Sequence, residues 1–332
     1  MFTKDIGIDL GTANTLVYMR NKGIIIREPS VVAVNTRTDK CRYVGKEAKD
    51  VIGRTPGSIV AVRPLKDGVI ADFDIATTML QEFIKKAMKG TILTKANVII
   101  CIPSGVTAVE RRAVRESCKK AGAQNVLIVE EPMAAAIGAG LPTTSPTGCM
   151  IVDIGGGTSE VAVVSSRSIR CAGDAFDASI INFIKKKYNL LIGERTAENI
   201  KIEIGSAFPS ENEETMEIKG RNLLNGLPEN ITISSAEIRD ALVEPLAKVI
   251  DAIKVTLEST PPELSADIID QGITLAGGGA LLRGLDKLIN RETGMPVYIA
   301  EYPLDCVAEG TGKILENIEQ YQDALTENVK YY

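Results

Sequence analysis

The sequence predicts an α/β fold made of two similar lobes, and three observations support this prediction. Predicted strands alternate with predicted helices along the chain, which is typical of sheets flanked by helices. An apolar strand that runs into Asp-x-Gly occurs twice, and the two aspartates, Asp9 and Asp153, lie 144 residues apart in a chain of 332. Between them, the stretch PTTSPTG (residues 142–148) has the composition of a linker. We therefore expect two halves of like fold that face each other across a cleft.

Apolar periodicity predicts the elements of the first half. Residues 97–102 form a nearly unbroken apolar run, which is typical of a strand covered on both faces, whereas residues 74–88 carry apolar side chains at helical spacing. The first two strands are expected to pair as a hairpin. The predicted strands are 5–10, 15–19, 24–26, 31–34, 97–102 and 126–129, the predicted helices are 74–88, 107–121 and 132–140, and residues 53–57 are a predicted loop.

The same order of elements restarts after the linker. A strand over residues 150–154 ends at three glycines, and the charged stretch 209–233 predicts weak strands. A third glycine cluster, Gly277 to Ala280, follows a strand over residues 272–276 and is predicted to open a helix at Leu281. The further predicted strand is 159–164, and the predicted helices are 175–188, 196–204, 235–258 and 281–292.

The composition excludes several functional classes. The chain has no histidine, which excludes Ser-His-Asp and Cys-His nucleophiles and histidine metal sites. Its 38 basic and 43 acidic residues give a net charge of −5, so we expect no nucleic-acid partner. The six cysteines include no CxxC pair, which favours free thiols in a reducing compartment. No apolar stretch of membrane-spanning length is present, and a strand pattern begins too early for a signal peptide.

The Asp-x-Gly turns point to phosphate binding. Glycines allow the backbone to come close to a ligand, and the exposed N–H groups of such a turn form a concave anion site. A carboxylate at the strand end can hold Mg²⁺ through water. We therefore predict that Asp9 and Asp153 hold Mg²⁺ and that the two turns clamp a polyphosphate. The alternative interpretation is that each turn is an ordinary tight turn.

The common nucleotide-binding motifs are absent. The glycines of the third cluster lack the last glycine of G-x-G-x-x-G, because Leu282 stands there. The stretch from Gly310 to Lys313 fails the P-loop pattern, because Val307 replaces its first glycine and Ile314 follows the lysine. The sequence therefore predicts neither a dinucleotide-binding dehydrogenase nor a P-loop NTPase.

Three segments resemble the phosphate and adenosine motifs of the superfamily that contains actin, sugar kinases and heat-shock chaperones. They are IGIDLGTANTL (residues 6–16), IVDIGGGTSEV (151–161) and AGGGALL (276–282). The chain resembles the MreB family of bacterial actins, which determine rod shape, more closely and over nearly its whole length. That resemblance is carried by EPSVV (28–32), IGRTPG (52–57), DGVIAD (67–72), EEPMAAAIG (130–138) and TPPEL (260–264).

The resemblance implies an actin-like, two-lobed ATPase fold. Two duplicated lobes, each a mixed sheet with flanking helices, would surround a central nucleotide cleft together with two smaller inserted subdomains. The implied bounds are 1–31, 66–143 and 310–332 for the core of lobe I (IA), 32–65 for its insert (IB), 144–174 and 235–309 for the core of lobe II (IIA), and 175–234 for its insert (IIB).

The resemblance also implies roles for individual residues around ATP or ADP and Mg²⁺. Glu131 and Thr158 resemble the pair that positions the attacking water, while the neighbouring Glu130 is interpreted as a structural or solvated carboxylate. Without the resemblance, Glu198 and Lys201 would be interpreted as a surface ion pair on a helix. The implied phosphate contacts are Thr12, Ala13, Asn14, Gly155, Gly156, Gly157 and Thr158, and the implied ribose and adenine contacts are Glu198, Asn199, Ile200, Lys201, Gly278, Gly279, Ala280 and Leu281.

Two features depart from the family pattern. Residues 163–169 are shorter than the family's usual hairpin, which leaves open whether a true deletion is present. The chain also begins too close to its first strand for the N-terminal amphipathic helix of some relatives. In its place, the loop GTILT (residues 90–94) lies between two lysines and predicts membrane contact through Ile92 and Leu93. Burial of these two side chains would contribute about 3–6 kcal/mol, which suits a filament with many copies, and the alternative is a locally packed loop.

Three functions compete at this stage. The favoured one is a filament-forming homopolymer with a slow ATPase. It would be cytoplasmic and membrane-associated, lie on the inner face of the cytoplasmic membrane and act with the cell-wall elongation machinery and its membrane adaptors. A small-molecule, sugar-type kinase would need a further base beside the γ-phosphate, for which only Asp9 and Asp153 are candidates. A chaperone would be expected to carry a substrate-binding domain after the ATPase, and the sequence ends at Tyr332.

Overall fold

A computed structural model describes residues 3–38, 40–51, 58–88, 95–163 and 166–326. The predicted loop at 53–57 and the predicted membrane residues Ile92 and Leu93 lie outside these ranges. The strands are β1 (Thr3–Leu10), β2 (Asn14–Met19), β3 (Gly23–Pro29), β4 (Val32–Asn35), β5 (Lys40–Val44), β6 (Ile59–Val62), β7 (Leu65–Lys66), β8 (Val69–Ile70), β9 (Lys95–Ile102), β10 (Ala123–Glu130), β11 (Met150–Ile154), β12 (Ser159–Ala162), β13 (Ser166–Ile169), β14 (Leu190–Leu191), β15 (Thr215–Asn222), β16 (Pro228–Ser234), β17 (Ile273–Ala276) and β18 (Val297–Ile299). The helices are α1 (Lys46–Asp50), α2 (Phe73–Ala87), α3 (Ala108–Lys120), α4 (Glu131–Gly138), α5 (Gly173–Tyr188), α6 (Glu194–Ile204), α7 (Ser235–Ser259), α8 (Pro262–Gln271), α9 (Leu285–Thr293) and α10 (Cys306–Glu316).

Two five-stranded mixed sheets form the centres of two lobes with the same topology. In lobe I the strand order is β10-β9-β1-β2-β3, and in lobe II it is β18-β17-β11-β12-β13. In each sheet the first three strands of that order are parallel and the last three form antiparallel pairs. Asp9 and Asp153 therefore lie on equivalent strands, each just before the turn of an equivalent hairpin. The predicted α/β fold with duplicated lobes is confirmed.

Local sequence signals explain where several helices begin. The Asp72 side chain accepts a hydrogen bond from the backbone N–H of Ile75 at the start of α2. A reciprocal capping box joins Thr107 to Glu110 at the start of α3, and another joins Ser234 to a glutamate at the start of α7. These caps satisfy N–H groups that have no partner within a helix.

Two three-stranded sheets accompany the large ones. The sheet β5-β4-β6 lies in the first half of the chain, and α1 packs on β3, β4 and β5. The sheet β14-β15-β16 lies in the second half, and its strands β15 and β16, which pair antiparallel, lie in the charged stretch that was predicted to form weak strands. These sheets fall within the segments expected to be inserts, and the four-subdomain bounds stay a prediction.

Three apolar clusters account for most of the core. The largest lies within lobe II and a second within lobe I. The third combines Ile99 and Val129 of the lobe I sheet with Ile151 and Ala276 of the lobe II sheet. Because this cluster contains buried side chains from both sheets, the hydrophobic effect holds the two lobes together. No helix among the described residues is long and apolar enough to cross a membrane.

The sequence analysis missed helix α10, which contains Gly310 and Gly312. Glycine inside a helix costs conformational entropy, so the local sequence argues against a helix here. The structure supplies the compensating reason, because a Cβ at Gly310 would collide with the carbonyl oxygen of Ala134 and one at Gly138 with that of Cys306. Glycine thus allows the close packing of α4 against α10, and the stretch tested as a P-loop is part of a buried helix.

A lysine on α10 completes this helix contact. Lys313 Nζ donates hydrogen bonds to the carbonyl oxygens of Ile137 and Gly138, each at 3.0 Å. These are two of the last carbonyls of α4, which have no partner within the helix. The cap and the close packing fix the position of α4, whose first residue is Glu131.

The third glycine cluster differs from its prediction. No helix begins at Leu281; residues Gly278–Leu281 form a 3₁₀ turn, and α9 starts only at Leu285. The cause is Gly284, whose φ of 73° lies in the left-handed region and interrupts a helix that would start at Leu281. Leu281 is 54% exposed.

The hairpin after the second phosphate turn is closed despite its short sequence. Strands β12 and β13 pair antiparallel with Ser159 opposite Ile169. Val164 and Ser165, which link the two strands in the sequence, lie outside the described residues, so the question of a deletion stays open.

Candidate functional site

The two Asp-x-Gly turns meet between the lobes. A Cβ added at Gly156 would lie 2.6 Å from the Cβ of Ala13, and one added at Gly157 would lie 2.5 Å from Oγ1 of Thr12. Real Cβ atoms do not approach other atoms this closely, so the second turn has no room for side chains at these two positions. The structure therefore brings together the two sets of residues that the sequence predicted to bind phosphate.

The lobe I turn is held by the corner between β3 and β4. The Ser30 N–H donates to the carbonyl of Ala13 at 3.0 Å, and Ser30 Oγ donates to the carbonyl of Gly11 at 2.6 Å. Thr12 is buried, and its Oγ1 accepts a hydrogen bond from the Gly68 N–H at 3.0 Å. With its carbonyls occupied in this way, the turn has a fixed backbone path.

The lobe II turn is held by the start of helix α5. The N–H groups of Gly173 and Asp174 donate to the carbonyls of Gly155 and Gly156 at 3.1 and 2.8 Å. The Gly155 N–H donates to the carbonyl of Thr158 at 2.9 Å, which closes the turn. Backbone groups alone supply these bonds, so this turn depends little on side chains.

Acidic side chains surround the junction of the turns. Burial, with a further contribution from Asp153, raises the pKa of Asp9 to about 8, and burial raises the pKa of Asp153 to about 7. Burial and then the charges of Glu160, Asp9 and Asp153 raise the pKa of Glu131 well above its ordinary value. The charged groups that raise the pKa of Glu131 are thus all acids, so a cation placed among them would be stabilised.

The two adjacent glutamates at the start of α4 have different surroundings. Glu131 is 8% exposed and lies within the acidic group. Glu130 is the residue before the helix, and its Oε2 accepts hydrogen bonds from Ser104 Oγ at 3.1 Å and from Ser166 Oγ at 3.4 Å. This contrast agrees with the structural interpretation of Glu130.

Sequence reasoning missed Glu160, which is 1% exposed. Its Oε1 accepts a hydrogen bond from Ser168 Oγ at 2.5 Å and its Oε2 accepts one from the Ser104 N–H at 3.2 Å. Burial raises its pKa to about 7. The hydrogen bonds act to lower the pKa, and the charge of Asp153 acts to raise it further. A single acid within the apolar strand sequence SEVAVV was the signal that could have identified it.

The acidic group fits a hydrated cation. Carboxylate oxygens are the ligands that Mg²⁺ prefers, and Mg²⁺ usually keeps several of its waters. Among the described residues, no set of three or more histidine, cysteine, aspartate or glutamate side chains could hold a metal ion directly. Asp153, which is buried, and Asp9, which is half-buried, therefore suit an ion that is held through water and phosphate oxygens.

The third glycine cluster lies against the end of strand β11, which leads into the lobe II turn. A Cβ at Gly277 would collide with Oδ1 of Asp153, so the cluster approaches the acid directly. Of its predicted contact residues, Gly278 and Leu281 are exposed, Gly279 is half-buried and Ala280 is fully buried in the lobe II core.

Helix α6 carries the predicted ribose contacts, but they do not form the surface ion pair considered as an alternative. Glu198 instead pairs with Lys49, and Lys201 Nζ pairs with Asp177 at 2.9 Å and donates to the Gly173 carbonyl at 3.2 Å. The intervening Asn199 is exposed, whereas the Ile200 side chain is buried in the lobe II core. The alternative of a Glu198–Lys201 pair is therefore wrong.

A polar recess adjoins Thr158, a residue that is only 7% exposed. The recess measures about 190 Å³ and is lined by residues of both lobes. Space of this size accommodates several water molecules. The polar lining residues include Asp67, Ser104, Glu110, Thr158, Ser168 and Arg170.

Two lobes of equal topology, joined by one apolar cluster and by turns that meet between them, define the actin-like class of proteins. A family model described as MreB/Mbl protein matches residues 3–323. The chain belongs to this family. This assignment does not favour the kinase interpretation.

Individual relatives match the sequence over nearly the full length of the chain. The chain is 53% identical to the cell shape-determining protein Mbl of Bacillus cereus, over 96% of this chain and 98% of that protein. It is also 53% identical to the cell shape-determining protein MreB of Escherichia coli, over 97% of this chain and 96% of that protein. The crystal structure of MreB5 of Spiroplasma citri bound to AMPPNP matches with a TM-score of 0.91 and 43% identity, over 97% of this chain and 99% of that chain.

Proposed function

We propose that this chain is an ATP-binding and ATP-hydrolysing cytoskeletal protein. It forms membrane-associated filaments and helps to set rod cell shape by organising cell-wall elongation. Its relatives are named as cell shape-determining proteins, and MreB5 of Spiroplasma citri binds AMPPNP and ADP. Membership of the same family supports the extension of these properties to this chain.

The observation that carries the proposal is the meeting of the two turns beside the buried acids. Exposed N–H groups of such turns bind phosphate oxygens, and turns from two lobes can hold a triphosphate from both sides. Thr12, Ala13 and Asn14 supply one side, and Gly155, Gly156, Gly157 and Thr158 supply the other. Helix α6 and the third glycine cluster then hold ribose and adenine.

Asp9 and Asp153 are the proposed holders of Mg²⁺, through water. The ion would neutralise phosphate charge while the nucleotide is bound. The two aspartates would orient its waters, and burial raises the pKa of each carboxyl group.

Glu131 and Thr158 are the proposed catalytic residues. Transfer of a phosphoryl group to water needs positioning and charge stabilisation more than covalent chemistry. Glu131 orients the water and accepts its proton, and its raised pKa makes the carboxylate a stronger base. The Thr158 hydroxyl, on the opposite lobe, holds the water from the other side.

The test compares Glu131→Ala with Glu130→Ala. Glu131→Ala should lower ATP hydrolysis by about 100-fold or more while ATP binding and ATP-dependent assembly persist. Glu130→Ala should change hydrolysis only a few-fold. Phosphate release and sedimentation of polymer measure the two properties, and normal hydrolysis by Glu131→Ala would refute the catalytic assignment.

The filament is proposed to assemble head to tail and to bind the membrane through Ile92 and Leu93. Contacts that do not close into a ring produce open filaments, and many weak membrane contacts along a filament add up to firm binding. Changing Ile92 and Leu93 to Ser should release filaments from anionic liposomes without preventing assembly. Thr91→Ser is the control, and unchanged pelleting of the double variant with liposomes would contradict this role of the loop.

A further inference from the structure

Two basic side chains from the first half of the chain form ion pairs with helices α5 and α6 of lobe II. Lys49 Nζ contacts both carboxylate oxygens of Glu198, at 2.9 and 3.1 Å. Arg63 lies 3.3 Å from Oδ1 of Asp174 and 3.3 Å from Oε2 of Glu194. Since α1, which carries Lys49, packs on β3 of lobe I, these contacts join the two lobes.

The Lys49–Glu198 pair is the better protected of the two contacts. The exposed fractions of its two side chains are 34% and 31%, whereas Glu194 is 70% exposed. Partly buried charges are screened less by salt than fully exposed ones. One ammonium group also engages both oxygens of the carboxylate, which restricts the position of Glu198.

The partners of these basic residues belong to the elements that form the nucleotide site. Glu198 is itself a proposed ribose contact, and the Asp174 N–H holds the carbonyl of Gly156 in the second turn. An opening of the lobes therefore has to break both ion pairs next to groups that contact the nucleotide. Closure of the cleft and seating of the nucleotide depend on the same two helices.

We propose that Lys49 and Arg63 form a clasp that keeps the nucleotide cleft closed and thereby slows the release of bound nucleotide. This inference rests on the proposed binding of nucleotide between the lobes. A nucleotide enclosed in this way leaves only after the lobes separate, and the clasp adds ion pairs that separation must break. Lys49 also holds Glu198 in position for the ribose.

The clasp is tested by the dissociation rate of a fluorescent ADP analogue in the presence of Mg²⁺. Lys49→Ala should speed dissociation by roughly three- to fivefold, as the loss of one partly exposed ion pair allows. Arg63→Ala should speed it by a similar factor, and the double variant should show about the product of the two effects. Added salt should speed release from the unmodified protein more than from the double variant.

Two matched controls separate the clasp from a general loss of charge. Lys46→Ala removes a lysine from the same helix α1, one that lies near Glu28 of lobe I, and should leave the rate unchanged. Lys49→Arg keeps the positive charge and should retain slow release. Thermal unfolding of each variant shows that the fold is preserved.

The possible results distinguish this inference from the proposed function. Normal release rates in both single variants, with tight binding by the unmodified protein, would overturn the clasp and leave the nucleotide site intact. A release rate of the unmodified protein that does not change with salt would overturn the clasp even if a variant failed to fold. Failure of the unmodified protein to bind the ADP analogue would overturn both proposals.

Discussion

The two phosphate turns have the same place in their lobes but different sequences, and their contact explains the difference. Counted from the aspartates, Thr12 and Ala13 of lobe I correspond to Gly156 and Gly157 of lobe II. The contacts run crosswise, with Ala13 against Gly156 and Thr12 against Gly157. Such crosswise contacts are those of a two-fold symmetric interface. Since each side chain of the first turn occupies the space above a glycine of the second, the two halves cannot carry the same residues there.

The turns also differ in what holds them. Ser30 supplies a side chain and a backbone N–H to the lobe I turn, whereas backbone N–H groups at the start of α5 hold the lobe II turn. One feature is shared: Thr15 and Ser159, six residues after the respective aspartates, are both completely buried, and each hydroxyl is hydrogen-bonded. The duplicated topology therefore fixes the strand ends, while the local sequence determines how each turn is anchored.

The largest expected effect comes from the paired aspartates. Asp153→Ala should abolish nucleotide turnover, and Asp9→Ala should lower it by a comparable factor, about 100-fold or more, because both acids are proposed to orient the waters of one ion. Phosphate release measured over a range of Mg²⁺ concentrations tests this. Asp251→Ala, at an exposed position on α7, is the control. A large effect at only one aspartate would show that the two lobes are not equivalent in function.

The next effect concerns the crosswise contact itself. Gly156→Ala places a Cβ 2.6 Å from that of Ala13 and should force the turns apart. A strain of about 1–3 kcal/mol corresponds to nucleotide binding weaker by roughly 5- to 150-fold. Titration with a fluorescent nucleotide measures the affinity.

A compensating variant and a control sharpen that experiment. Ala13→Gly in the Gly156→Ala background removes the opposing methyl group and should restore much of the affinity. Gly193→Ala adds a methyl group where no atom lies within 4 Å and should leave the affinity unchanged. If Ala13→Gly gave no recovery, the contact between the turns would not be the cause of the loss.

Much of the fold and of the candidate site could be predicted because the relevant signals are local. The strand-to-turn sequences around Asp9 and Asp153 reveal the duplication, and the apolar run within β9 reveals a central strand of the lobe I sheet. The glycine-rich turns identify where the lobes approach each other. Each of these signals lies within about ten residues, so a single sequence is sufficient to recognise it.

The remaining features depend on residues far apart in the chain. Helix α10 contains two glycines and is stabilised by its packing on α4, about 175 residues away along the chain. Lys49 and Glu198 are separated by 149 residues, and neither has a sequence context that indicates the other. The 3₁₀ turn at Gly278–Leu281 shows the opposite error, since the glycine cluster after a strand suggested a helix from Leu281, where the left-handed Gly284 prevents one. Tertiary packing and backbone conformation thus determine helices, turns and long-range contacts that apolar periodicity alone does not predict.

The acids of the cleft also contrast with Glu237, at the start of α7 on lobe II. Burial acts to raise the pKa of Glu237, but hydrogen bonds from Lys187, Tyr188 and Ser234 outweigh it and lower the pKa to about 2. Lys187 Nζ lies 2.6 Å from Oε1, and the Ser234 N–H lies 2.8 Å from Oε2. Cationic and N–H partners thus lower the pKa of a carboxylate, whereas burial, with the charges of neighbouring acids at Asp9 and Glu131, raises the pKa of the cleft acids.

The smallest expected effect tests this contrast through the pH dependence of stability. Because the folded protein releases the Glu237 proton more readily than the unfolded chain does, the interaction is fully present above about pH 4.5 and is lost as the pH falls towards 2. Glu237→Gln should lower the free energy of unfolding by about 1 kcal/mol at pH 7, and its stability should fall less steeply than that of the unmodified protein between pH 4.5 and 2. Urea unfolding at a series of pH values measures both quantities, with Glu244→Gln, an exposed position on the same helix, as the control. Equal slopes for the two variants would mean that the hydrogen bonds to Glu237 do not stabilise its charged form.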